Sequence, residues 1–284
     1  MDCLKLASTP HCVPNHNQAL NAPFPHQPLV ELTREMASDP APEPGVRYNK
    51  WMRGLREIAG DYDARRARIP SPTDTTCTWL LDQHQVWSWY LNGNASSFLC
   101  ITGNAKCGKS VLANYLVREL PTLVRGSIVC SYFFPEDGDG CGGDGQAQPQ
   151  DSCRALSALV YQLFTSNPQL ASSSRGQPEP WADSFSYTTS ELWAIFCRAA
   201  QQSESEKRPV VCVLDGLDWC ASGSRGEFIE NLVSSLSFGP SIPLSCKLLI
   251  TSRPLLSMER SFFSRLSKAA RLKLEDSPAS TSTE

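Results

Sequence analysis

Eight consecutive residues, Gly103-Asn104-Ala105-Lys106-Cys107-Gly108-Lys109-Ser110, have the types and spacing of a phosphate cradle. Glycines let the backbone curl until successive N–H groups face one anion, and a helix opening at the end of the run adds its positive dipole end. Lys109 has the reach to meet β- and γ-phosphates, and the Ser110 hydroxyl offers a coordination position to Mg2+. The run follows the apolar stretch FLCIT and opens SVLANYLVREL, the strand–turn–helix context this chemistry needs. ATP or GTP together with Mg2+ is the expected ligand.

A phosphate cradle alone does not hold the metal, so a carboxylate should follow a second buried strand. The run Val210–Leu214 leads directly into Asp215, and an aspartate at the carboxyl end of such a strand points into the crevice where α/β proteins bind ligands. Asp215 is therefore the second metal candidate beside Ser110. Asp218 either supports the same site or is simply solvated. A third apolar run, ending Thr251-Ser252-Arg253, brings a hydroxyl and a guanidinium to the same sheet edge, where Arg253 can meet a γ-phosphate. Asp218 and Arg253 are the candidate catalytic groups.

These residues need a parallel sheet to hold them. Five short apolar runs read as buried strands: 98–102, 127–134, 210–214, 247–251 and 271–274. Helical patterns fall at 110–120, 152–164, 190–201, 225–236 and 255–266, the last with Phe262, Phe263 and Leu266 on the sheet-facing side. Alternation of this kind predicts an α/β three-layer sandwich. Upstream, Tyr48, Trp51, Met52, Leu55 and Ile58 recur at spacings of three and four, one face of an amphipathic helix. A second helix is expected after Pro72, capped by Thr75 or Thr76, with Trp79, Leu80, Val86, Trp87, Tyr90 and Leu91 inward. Residues 1–46 hold eight of the 21 prolines and few large apolar side chains, the composition of a disordered tail. The expected organisation is a tail at 1–46, a helical lead-in at 47–92, a nucleotide-binding core at 93–276 and a second tail at 277–284.

The chain of 284 residues carries 29 acidic and 26 basic side chains, a formal net charge of −3, and so lacks the field to hold nucleic acid. It has no apolar run of membrane-spanning length and opens without a secretory leader, which predicts a cytoplasmic protein. Of its 12 cysteines, Cys100, Cys130, Cys212 and Cys246 sit inside apolar runs, as reduced structural thiols do. Asp137, Asp139 and Asp144 invite a calcium loop, but Cys141 and Gln148 stand where oxygen-rich ligands belong, so 135–150 reads as a surface loop.

The ordered motifs resemble the NACHT-type signal-transducing NTPases, in particular the nephrocystin-like branch abundant in filamentous fungi. The likeness covers about residues 65–275. It runs through Arg68-Ile69, the stretch 76–81, Trp87–Trp89, FLCITGNAKCGKS, the aromatic strand at 132–134, RALSALVYQLF, VVCVLDGLDWC and LLITSRP. It implies a five-stranded sheet in the order 5-1-4-3-2 and a nucleotide-switched domain in self/non-self or innate-immunity-like signalling, with nucleotide-dependent self-association. It also implies phosphate and metal binding by Gly103, Gly108, Lys109 and Ser110, Mg2+ support by Asp215 and γ-phosphate sensing by Arg253. Two positions depart from the family pattern. Lys106 stands where a glycine is usual, and Trp219 replaces an acidic residue that would orient the attacking water, which predicts slow or absent hydrolysis. Such proteins usually continue into a winged-helix region and a repeat array, so the chain is expected to be either a fragment or a minimal module. Two other classes stay open: an interaction module that has lost nucleotide binding, and a P-loop kinase.

Overall fold

In a computed structural model of the chain, residues 44–72, 77–83, 86, 89, 97–136, 151–173, 187–236, 245–254 and 270–274 are described. Expectations for residues 1–43 of the N-terminal tail, Thr75 and Thr76, Trp87, Tyr90, Leu91, the loop at 137–150, the helix at 255–266 and the C-terminal tail lie outside those residues, while residues 44–46, expected in the tail, already belong to the first helix.

The lead-in begins with helix α1 (Pro44–Ala59) and the single turn α2 (Ala64–Arg68). The spacing of three and four places Trp51, Leu55 and Ala59 on one buried stripe. That stripe packs on α4 (Ser152–Ser166), where the Trp51 ring lies 4.8 Å from that of Phe164 and the Tyr48 hydroxyl donates to the Phe164 carbonyl at 3.2 Å. Truncating the fully buried Leu55 to alanine removes packing worth about 2–5 kcal/mol. The second expected lead-in helix opens with a 3-10 turn over Thr78–Asp82, and beyond that turn Val86 and Trp89 are helical and buried. Leu80 is buried, while Trp79 is 41% exposed rather than inward. With three residues per turn, consecutive side chains diverge by a third of a circle, so so short a turn turns only one of the two neighbours to the core.

Five strands form one parallel sheet: β1 (Ser97–Gly103), β2 (Ile128–Phe133), β3 (Val210–Asp215), β4 (Cys246–Ser252) and β5 (Ala270–Leu274). Their order, β2-β3-β4-β1-β5, is the expected 5-1-4-3-2 read from the opposite edge. The period of two splits the strands between two cores. On one side Cys130, Tyr132, Val210, Cys212, Leu214, Leu248 and Ile250 pack with α1, α4, α6 (Thr189–Ser205) and α7 (Ser222–Leu236). On the other, Leu99, Ile101, Val211, Val213 and Leu249 pack against α3 (Lys109–Leu123) and the lead-in residues Leu80, Val86 and Trp89. A short helix α5 (Gln169–Ser173) follows α4. Because both faces are covered, all six β3 residues are buried, which explains their unbroken apolar run.

Local chemistry starts the helices. Asp151 caps α4 by accepting from the Arg154 N–H at 2.8 Å, and Thr188 and Glu191 form a reciprocal capping box on α6. Cys100, Cys130, Cys212 and Cys246 are buried and form no disulfide, and burial pushes the Cys212 thiol well above its ordinary value. No helix among the described residues is long and apolar enough to cross a membrane.

Candidate functional site

The carboxyl ends of β1, β3 and β4 converge on a cavity of about 580 Å³. Ala105, Lys106, Gly108, Lys109, Ser110, Asp215, Asp218 and Arg253 all line it, so most of the residues singled out in the sequence meet in one place. Gly103, Asn104 and Cys107 do not line it and instead shape the loop. Gly103 ends β1 under a tight ceiling, since a Cβ there would lie 2.6 Å from the Cys107 sulfur and 3.1 Å from the Leu274 carbonyl oxygen. The curl is made by two left-handed residues, Gly108 at φ +87° and Lys106 at φ +64°. A lysine bears that conformation at a cost of roughly 1–2 kcal/mol, which the usual glycine avoids.

Gly108 caps α3, so Lys109 and Ser110 form the first turn, where the helix dipole favours an anion. The Lys109 ammonium is folded back on the loop, donating to the carbonyls of Gly103 (2.8 Å) and Asn104 (2.5 Å). Asp215 is 1% exposed. Its Oδ1 accepts from the Thr251 hydroxyl, whose oxygen in turn accepts from the Gly216 N–H at 2.9 Å. Its Oδ2 has no hydrogen-bond partner. Burial pushes this carboxyl above the ordinary range, while the Ser110 and Thr251 hydroxyls and the charges of Arg65 and Lys109 pull it back. The Ser110 hydroxyl thus favours the ionised form without being a bonded partner of Oδ2. An orphaned, buried carboxylate oxygen beside a serine hydroxyl is a set of hard oxygen donors, and it fits Mg2+.

Asp218 is not solvated. Its side chain is 2% exposed and clamps Arg253, accepting from that residue's Nε at Oδ2 and from its backbone N–H at Oδ1 (3.0 Å). Trp219 supplies the shelf, with the Arg253 guanidinium 4.4 Å from its ring centroid. Arg225 holds the turn by donating to the carbonyls of Asp218 (2.8 Å) and Cys220 (3.1 Å). The indole at the position expected for an acid therefore stacks on the arginine of the site.

Sequence reasoning passed over Arg65 and Glu136. Arg65, Arg68, Ile69 and Pro70 wall the cavity from the lead-in, and Glu136 does so from beyond β2. Arg65 pairs with Glu136 at 2.9 Å, Arg66 donates to Asn114 of α3 at 3.0 Å, and Arg118 of α3 donates to Ser71 at 3.2 Å. The available signal was the run ARRAR at 64–68, three guanidinium groups in five residues just upstream of the cradle.

Comparison with solved structures returns proteins of low identity. The ORC1 protein of Aeropyrum pernix, solved in complex with DNA, is 14% identical with a TM-score of 0.41, covering 78% of this chain and 49% of that one. The ORC2 protein of the same organism, solved in ADPNP–ADP complexes, is 16% identical with a TM-score of 0.45, covering 77% of this chain and 51% of that one. This chain thus spans about half the length of those proteins. No curated protein matches the sequence. A family model described as "Nephrocystin 3, N-terminal" matches residues 75–253, which run from the lead-in through the cradle and Asp215 to Arg253. That span exceeds half the chain, so the protein belongs to the nephrocystin 3 N-terminal family and has the P-loop NTPase fold.

Proposed function

We propose that this chain is a nucleotide switch that binds a magnesium-bound purine nucleoside triphosphate, ATP or GTP, and hydrolyses it slowly. The cradle Gly103–Ser110 holds the phosphates, Lys109 exchanges the loop carbonyls for phosphate oxygens, and Ser110 and Asp215 hold Mg2+. The metal, when bound, neutralises charge on the phosphate oxygens. The observation that carries the reading is the buried, unpartnered Oδ2 of Asp215 at the mouth of a strand-to-helix phosphate loop. Such a group costs stability unless a cation meets it.

Arg253 senses the γ-phosphate by leaving Asp218, and the departure alters the turn that Arg225 and Trp219 build around it. The organisation into a tail, a lead-in and a core, cytoplasmic placement, nucleotide-dependent self-association and a signalling role belong to the same proposal. Chromatography of a denatured extract of the purified protein tests the reading: co-purifying ADP or ATP, absent from Lys109→Ala, supports it. Protein that carries none and binds none when Mg2+ and nucleotide are added would point to the interaction-module alternative.

A further inference from the structure

The family match begins at residue 75, yet the cavity is walled on one side by residues that precede it. The turn α2 and the segment after it are strapped across the site by three contacts: Arg65 to Glu136, Arg66 to Asn114 and Arg118 to Ser71. The last two tie the strap to α3, the helix that follows the phosphate cradle, and the first ties it to the chain leaving β2.

The position of Arg65 is specific within the site. The sheet order sets β2 beside β3, and Phe133 pairs in register with Asp215, so Glu136 leaves the sheet next to the metal-holding carboxylate. Arg65 pairs with Glu136 at this corner, and its charge is felt at Asp215. Its side chain is 13% exposed, whereas that of Glu136 is 53% exposed. The arginine is thus positioned by the fold, while the glutamate is a solvated partner that can be released at little cost. Around the whole cavity, five cations (Arg65, Arg68, Lys106, Lys109, Arg253) face three carboxylates (Glu136, Asp215, Asp218). That positive surplus suits the negative charge of a magnesium-bound triphosphate.

We propose that Arg65 is a phosphate-binding residue that exchanges Glu136 for the terminal phosphate of a bound nucleoside triphosphate, so that the α2 strap distinguishes triphosphate from diphosphate. The inference rests on the nucleotide reading above and extends the site to a segment outside the family match. A guanidinium suits the task because its planar fork can engage two phosphate oxygens. A diphosphate lacks the phosphate that would displace Glu136 and so leaves the Arg65–Glu136 pair intact.

Calorimetry of the full chain with Mg2+ and either a non-hydrolysable ATP analogue or ADP tests the exchange. Arg65→Ala is expected to weaken the analogue by about 10- to 100-fold, the range of charge-assisted hydrogen bonds, and to change ADP affinity by less than about twofold. Arg65→Lys should restore part of the loss. Glu136→Gln, a change at an exposed side chain, removes the competing anion and should tighten the analogue several-fold when Arg65 is present and not when it is alanine. That variant reads the exchange even where Arg65→Ala lowers the melting temperature. Equal losses for the two nucleotides, or no loss, with wild type binding normally, overturns this inference alone. Wild type that binds neither nucleotide overturns the underlying site reading and this inference with it.

Discussion

Replacing Asp215 with asparagine should make the nucleotide-free protein more stable and its binding of Mg2+ and nucleotide weaker. The carboxyl is 1% exposed, and its Oδ2 meets no hydrogen-bond donor. A buried polar atom left unsatisfied costs about 1–3 kcal/mol. Asparagine keeps an oxygen for the Thr251 hydroxyl but brings two N–H groups of its own, so the lower end of that range applies. For a domain of this size about 1 kcal/mol corresponds to a rise of about 2–4 °C in melting temperature. The pH dependence gives a second signature. Burial holds the folded pKa above the unfolded one, so the folded state keeps its proton longer. The contribution of this group to stability is therefore present at low pH and is lost as pH rises from the ordinary aspartate value through the raised one. Calorimetric or fluorimetric melts of wild type and Asp215→Asn across that range should diverge as pH rises, with the variant ahead at neutral pH. Magnesium-dependent nucleotide binding should fall in the same variant. A variant that melts at or below wild type at every pH, and binds Mg2+ and nucleotide as wild type does, would refute the argument that this oxygen is kept unpaired for a cation.

Three further outcomes follow from the same geometry. Trp219→Glu, measured by phosphate release, should raise turnover at least ~10-fold, because a positioned general base contributes about 10²–10⁴-fold and an indole contributes none. Brisk wild-type turnover that is lost in Asp218→Asn would instead make Asp218 the group that positions water. Lys106→Gly relieves the left-handed backbone at φ +64° and should stabilise the fold by about 1 kcal/mol in urea unfolding, an effect that a strain-free loop would not give. Trp51→Ala should cost about 3–5 kcal/mol in the same assay, since its ring is buried against Phe164 between α1 and α4.

Much of the fold can be read in the sequence because its strands are buried on both faces and its loop chemistry is local. The run Val210–Leu214 has no polar interruption, and that alone marks a central parallel strand ending at Asp215. The loop at 103–110 was equally legible as a strand-to-helix turn, since its glycines, lysine and serine fall at fixed offsets before a helix. What escaped were contacts between segments far apart in the chain. Arg65 and Glu136 are 71 positions apart, and no periodicity links them. Trp219 was legible as a missing acid but not as the shelf for an arginine 34 positions on, because a stacked pair leaves no spacing rule in the sequence. Trp79 looked inward under a helical period and is exposed under the tighter period of its 3-10 turn.

The proposed nucleotide site requires Lys109, held here by the carbonyls of Gly103 and Asn104, to move to the phosphates of a bound nucleotide. Titration calorimetry of Mg2+ with ATP against wild type and Lys109→Ala tests it most directly, with melting curves to confirm that both are folded. The variant should lose about 2–3 kcal/mol of binding free energy, roughly 30- to 150-fold in affinity. Equal affinities for two folded proteins would contradict it.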